Sequence, residues 1–164
     1  MHYSLERPTK GHVEQICAVW VSGWHEAHAD IVPRRLCELR TEDSFRDRAL
    51  ENLACTRIAV DGANVLGFCM VKGDELYQMY VSHVARGSGV AKALIGDAEI
   101  RVAANGYDLA WLACAVGNHR ASRFYEKSGW VNLGRRVVNL DTSEGDFPLD
   151  VWLFEKHVVA RDGS

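Results

Sequence analysis

Arg86-Gly87-Ser88-Gly89-Val90-Ala91 is the stretch on which the reading of the fold turns. It stands where an apolar run, Leu76 to Val81, gives way to a helical pattern that starts near Gly89. Glycines at a helix entrance leave backbone N–H groups uncovered. Those donors and the helix dipole favour an anion, most often a phosphate. Glycine-rich strand-to-helix turns also arise for steric reasons, so the hexapeptide alone leaves both readings open.

Working outward, Leu76 to Val81 belongs to a strand from Glu75, the last of three consecutive strands. Cys55 to Asp61 and Val65 to Lys72 form a hairpin around Asp61-Gly62-Ala63-Asn64, and Gly73-Asp74 turns into the third. Upstream, His2 to Pro8 alternates as a first strand. Thr9 is placed to cap a helix carrying Val13, Ile16, Cys17, Trp20 and Trp24 at helical spacing to about His28. A short helix over Pro33 to Leu39 follows, and Thr41-Glu42-Asp43 opens another through Leu53. Downstream, Gly89 to Asn105 is an amphipathic helix, with Ala91, Leu94, Ile95, Ala98 and Val102 on one face. Leu109 to Ala115 reads as a strand buried on both faces. Asn118 to Lys127 is a helix closed by Ser128-Gly129, and Trp130 to Leu140 and Leu149 to His157 are two last strands. Between those two, Asp141 to Pro148 reads as a polar loop. The order predicts a mixed α/β fold, an antiparallel meander followed by a helical crossover.

The 164 residues fit a single domain over 1–164, with the last few residues expected to be disordered. At this size roughly 68–70% of the unfolded surface can be buried without staples. A net charge of -3 gives no general attraction to nucleic acid or anionic membrane. The N-terminus shows no long apolar stretch of a signal peptide, and no run reaches membrane-span length. Five cysteines without a C-x-x-C spacing, each in apolar context, read as buried free thiols in a reducing compartment, by default the cytoplasm. No Lys-Ser/Thr follows the glycines at Walker spacing, and no G-x-G-x-x-G follows the first strand, which argues against P-loop and dinucleotide-binding folds.

A second signal begins at Asn118: Asn118-His119-Arg120-Ala121-Ser122-Arg123-Phe124-Tyr125-Glu126-Lys127-Ser128-Gly129-Trp130. Alone it is also consistent with a capped helix with an aromatic core face and a glycine stop. Together the two segments resemble the GCN5-related N-acetyltransferase (GNAT) superfamily. Its cofactor signature, Gln/Arg-x-x-Gly-x-Gly/Ala, is matched by Arg86, Gly89 and Ala91, after a strand ending in Met79-Tyr80-Val81. Its second motif, Asn-x-x-Ala-x-x-Phe-Tyr-x-x-x-Gly-Phe/Trp, is matched by Asn118, Ala121, Phe124, Tyr125, Gly129 and Trp130. The order of strands and helices agrees over nearly the whole chain. The resemblance implies a mostly antiparallel central sheet, splayed between the fourth and fifth strands and flanked by helices.

The resemblance further implies acetyl-CoA as donor. Its pyrophosphate would lie on the N–H groups of Gly87, Ser88, Gly89, Val90 and Ala91, with Arg86 adding charge. Its pantetheine arm would pair with the backbone of Met79 and Val81, and an N–H near Met79 or Tyr80 would polarise the thioester carbonyl. Tyr125 matches the family's general acid, and Asn118 the residue that contacts the cofactor arm or an ordered water. Glu75 is the candidate base through water; an exposed strand-end charge is the alternative. Lys92, Arg123 and Lys127 are candidates for the 3′-phosphate, and equally plain surface charge.

The expected reaction is direct transfer of acetyl to a primary amine. The acceptor is expected to be a small molecule, because so short a chain has little room for a separate protein-recognition domain. A protein terminus or lysine, and a non-catalytic acyl-CoA sensor on the same fold, are the alternatives. Trp24, His25 and His28 are placed to line the acceptor pocket, with Glu26 to hold a cationic amine; core tryptophans and solvated histidines are the competing reading. No metal is expected, since His25 and His28 have no companion cysteine pair. Val137, Val138, Val151, Trp152 and Phe154 in the last two strands offer a homodimer face or core packing.

Overall fold

The computed structural model describes residues 2–158; the last residues, expected to be disordered, lie outside that range. The strands are β1 (Ser4–Glu6), β2 (Thr56–Asp61), β3 (Asn64–Lys72), β4 (Glu75–Val81), β5 (Leu109–Ala115), β6 (Val131–Thr142) and β7 (Gly145–His157). The helices are α1 (Val13–His28), α2 (Arg34–Leu39), α3 (Glu42–Glu51), α4 (Val90–Ala104) and α5 (His119–Lys127). Local chemistry starts two of them where the sequence predicts. Thr9 accepts from Gly11 N–H at 3.2 Å and opens a tight turn that leads into α1. Thr41 accepts from Ser44 N–H at 3.1 Å, with Glu42 and Asp43 in the first turn of α3 beside the positive end of the dipole.

The strands form one seven-stranded sheet in the order β1-β2-β3-β4-β5-β7-β6. Neighbours are antiparallel except β4 and β5, which run parallel and touch at one register point, Glu75 opposite Trp111. Beyond it they diverge, so the sheet is splayed rather than closed. The cause lies in β4. Val71 pairs with Leu76 and Met70 with Gln78, which leaves Tyr77 as an extra, bulged residue. A bulge bends its strand and resets the alternation of side chains. Leu76 packs towards α4, whereas Tyr77 and Tyr80 pack on the α1 side and Met79 and Val81 return to the α4 side.

Two apolar clusters cover the two faces. Ile16, Trp20, Leu36, Phe45, Phe68 and Met70 join α1, α2 and α3 to one face. Leu94, Ala98, Val102, Leu112, Trp130 and Phe154 join α4 and α5 to the other.

The segment 141–148 is not the polar loop its composition predicts. β6 and β7 continue through it as a hairpin around Ser143 and Glu144, with Leu140 opposite Phe147 and Asn139 opposite Pro148. Leu140, Phe147 and Leu149 pack on the α1-side cluster, and that apolar contact outweighs the turn-forming residues between them. Pro148 is tolerated because the pairing of β7 with β5 ends at Val151, so its missing N–H faces no strand. The apolar face assigned to β6 and β7 also divides. Val151 and Phe154 are core, and Val137 is exposed. Cys17, Cys69 and Cys114 are buried free thiols as expected, whereas Cys37 and Cys55 are half-buried.

Candidate active site

The splay opens a continuous cleft of about 880 Å3. It runs from the start of α4, along the free edge of β4, to the space enclosed by α1, α2 and the β6–β7 hairpin. At the α4 end, Gly89 caps the helix with φ at +89°, a conformation that glycine adopts without strain. The backbone N–H groups of Gly87, Gly89, Val90, Ala91 and Lys92 find no acceptor among the described residues. Gly87, Gly89, Ala91 and Lys92 line the cleft; Val90 is buried, and Ser88, expected to offer its N–H to the pyrophosphate, donates both that N–H, at 3.2 Å, and its hydroxyl to the Ala85 carbonyl. Arg123 and Lys127 do not line the cleft.

Arg86 reaches across the cleft mouth rather than standing free. Its Nη2 lies 2.9 Å from Glu26 Oε1 on α1. His83 approaches the same carboxylate at 2.6 Å and Arg120 at 3.8 Å. The bond from Arg86 holds the Glu26 carboxyl below its usual range, and His83 adds to the effect. Glu26, expected to hold an acceptor amine, is therefore neutralised by the chain's own cations and ties α1 to the loop before α4.

Along β4, Ser82 N–H donates to the Leu66 carbonyl at 2.8 Å. Antiparallel alternation then turns the backbone of Tyr80 and Gln78 to β3, and that of Met79 and Val81 to the open side. Of the two N–H groups expected near a thioester, only that of Met79 faces the cleft. Tyr80 contributes its side chain instead. Its ring lies so close to α1 that a Cβ on Gly23 would sit 2.6 Å from Tyr80 Cδ1, which explains a glycine in mid-helix.

Tyr125 and Cys114 line the opposite wall. Tyr125 packs against Phe124, Trp130 and Phe154 with ring centroids 5.6, 6.3 and 5.7 Å away. Its hydroxyl makes no hydrogen bond among the described residues. Burial raises its phenol above the ordinary range, and the neighbouring Cys114 and Tyr80 add to the shift. Burial likewise pushes the Cys114 thiol up to about 12, so it is protonated near neutral pH. Asn118 caps α5, its Oδ1 accepting from Ala121 N–H at 3.3 Å, and also lines the cleft. Glu75 lines the cleft too, its carboxyl raised by burial. It lies four residues from Met79, about 13 Å along the strand.

At the far end, Trp24 and His28 line the cleft, and His25 does not. His25 Nε2–H donates to the Arg40 carbonyl at 3.0 Å, with its ring edge-on to Trp24, so it braces α1 against the segment after α2. His28 is stacked on Trp24 and donates from Nδ1 to the Trp24 carbonyl at 2.8 Å; burial pulls its imidazole below the ordinary value. Arg40 and Arg48, which sequence reasoning passed over, join them. Arg48 carried a faint signal, since it lies three residues after core residue Phe45 and beside core residue Ala49. Arg40 ends a short helix and carried none. No cluster of metal-ligating side chains occurs among the described residues.

A family model described as acetyltransferase (GNAT) family matches residues 10–130. No curated protein sequence matches the chain. Among solved structures, apo YjaB from Escherichia coli is 23% identical with a TM-score of 0.75, covering 98% of this chain and all of that one. PaiA N-acetyltransferase from Thermoplasma acidophilum, in complex with coenzyme A, is 18% identical with a TM-score of 0.71, covering 96% of this chain and 99% of that one. The putative acetyltransferase yncA from Salmonella typhimurium, with acetyl-CoA, is 10% identical with a TM-score of 0.68 over the whole of both chains.

Proposed function

The chain belongs to the acetyltransferase (GNAT) family, and from that premise we propose that it moves acetyl from acetyl-CoA to a primary amine of a small molecule. The observation that carries this reading is one cleft with uncovered amides at one end, an open strand edge along it and a buried phenol on its wall.

Bound there, acetyl-CoA supplies an activated thioester, whose carbon accepts the amine and whose sulfur leaves. The uncovered N–H groups of Gly87, Gly89, Ala91 and Lys92 take the pyrophosphate, and Arg86 lies beside it. The backbone of Met79 and Val81 pairs with the amides of the donor's arm, and Met79 N–H polarises the carbonyl oxygen. Asn118 presents its amide to that arm. Tyr125 gives its proton to the departing sulfur. Burial makes the phenol a weaker acid, and the same burial that raises the Cys114 thiol would make the departing thiolate more basic, so the proton still has a strong acceptor. Glu75 takes the amine's proton through a chain of water, and its raised carboxyl is poised nearer neutrality for that role. The protonated Cys114 is poorly suited to capture the acetyl group itself, which favours direct transfer.

A small acceptor fits the roof over the far end. The β6–β7 hairpin packs on the α1-side cluster, and Glu144 at its turn pairs with Arg35 on α2. The free edge of β6, with Val131, Leu133 and Val137 exposed, is the surface for a homodimer. The cytoplasm is the compartment we assign. The reading is tested by thiol release from acetyl-CoA across a panel of amines, with acetylated product identified by mass. Binding of acetyl-CoA without turnover of any amine would point to a sensing module.

A further inference from the structure

Arg40 and Arg48 stand apart from the other cations of the molecule. Arg46, Arg57 and Arg101, the remaining arginines that are not exposed among the described residues, each have a carboxylate within 4.0 Å. Arg40 is 5% exposed and, like Arg48, has none among the described residues; its Nη1 donates to the backbone carbonyl of Asp141 at 3.1 Å. The Arg48 guanidinium lies 4.4 Å above the Trp20 ring, Nη2 donates to the Tyr77 hydroxyl at 3.0 Å, and Nη1 is buried without an acceptor. Both line the far end of the cleft, on the sheet face opposite α4 and so away from the uncovered amides.

Burying a guanidinium without a counter-charge is unfavourable, and two together repel. Burial and the neighbouring Arg48 accordingly pull Arg40 down to about 10, and the Asp141 carboxylate, which lines the same end of the cleft without contacting Arg40 within 4.0 Å, offsets that only in part. A planar guanidinium held by aromatic rings is a rigid fork that fits an oxyanion.

Resting on the acetyltransferase reading, we propose that the acceptor carries an anionic group, carboxylate or phosphate, besides its amine, and that Arg40 and Arg48 bind that group. The anion anchors the acceptor under the hairpin while its amine extends past Tyr80 towards the cleft wall that carries Tyr125.

The test compares matched amines on the wild-type protein by thiol release from acetyl-CoA: glycine with glycinamide, 4-aminobutyrate with 4-aminobutanamide, leucine with leucinamide, and phosphoethanolamine with ethanolamine. Rates are compared at equal concentrations of neutral amine. In at least one pair the anionic member is expected to have a kcat/KM about 10- to 100-fold higher, as a charge-assisted pair gives. Which pair responds separates carboxylate from phosphate. Arg40→Gln and Arg48→Gln should each cut that preference to a few-fold while leaving the KM for acetyl-CoA unchanged. Equal or better use of every neutral partner overturns the proposal, and needs no variant that might misfold. Should no amine be turned over, the acetyltransferase reading fails by itself. The anion site is then read by calorimetry with glutarate and with inorganic phosphate, in saturating CoA. Binding that Arg40→Gln abolishes supports the site, and no binding to wild type overturns it.

Discussion

Replacing Tyr125 by Phe removes one hydroxyl and leaves the ring among Phe124, Trp130 and Phe154. That hydroxyl makes no hydrogen bond among the described residues, so the fold loses little. A change of about 0.5 kcal/mol or less moves Tm by roughly 2 °C at most. The catalytic effect should be far larger. A positioned general acid contributes about 10²- to 10⁴-fold, equivalent to about 3–5 kcal/mol at 1.36 kcal/mol per decade. A hydroxyl that merely hydrogen-bonds the donor is worth about 0.5–1.5 kcal/mol, or roughly 2- to 12-fold. The two ranges do not overlap and lie close to a decade apart at their nearest edges. Steady-state thiol release with the best amine of the panel should show kcat of Tyr125→Phe down at least about 100-fold, with the KM for acetyl-CoA within about threefold. The pH profile adds a second reading. Because burial raises the phenol, the proton-bearing form persists above the ordinary tyrosine range, so the wild-type rate should not fall up to about pH 10. A folded Tyr125→Phe protein that loses less than about tenfold in kcat would refute the acid role.

Glu75→Gln should flatten the acid limb of the kcat/KM profile, which in wild type lies above the ordinary carboxylate range because burial raises that group; an unchanged profile removes Glu75 as base. His28 is held neutral by burial, so the unfolded state binds its proton more readily, and stability is full above about pH 6.5 and falls as pH drops below it. Thermal melts of His28→Gln should show a shallower loss over that window, and an identical slope would refute the assignment. Gly96 in α4 has open space around its Cα, and Gly96→Ala should stabilise by about 1 kcal/mol. Gly23→Ala gains the same helical propensity but drives a methyl into Tyr80, at a cost of about 1–3 kcal/mol. Its Tm should stay level or fall, and a rise matching that of Gly96→Ala would refute the contact.

Much of the frame was legible because it rests on local chemistry. Thr9 and Thr41 cap where their spacing says, and the glycine before α4 takes the positive φ that its position requires. The β6–β7 hairpin was not legible, because Asp141 to Pro148 is polar and turn-forming in isolation. Its pairing is decided by contact of Leu140, Phe147 and Leu149 with helices far away in sequence. His25 and His28 show the same limit, since one helical turn decides which ring faces the cleft.

The sequence by itself determined the order of elements and the two segments that identify the family, since glycine conformation, capping and hydrophobic period act over a few neighbouring residues. Tertiary structure alone decided what those segments meet. It paired Arg86 with Glu26, turned Met79 rather than Tyr80 towards the open edge through the Tyr77 bulge, and brought Arg40 and Arg48 together with no carboxylate in contact among the described residues. Those outcomes depend on which side chains the sheet brings across the cleft, over separations that local propensity does not encode.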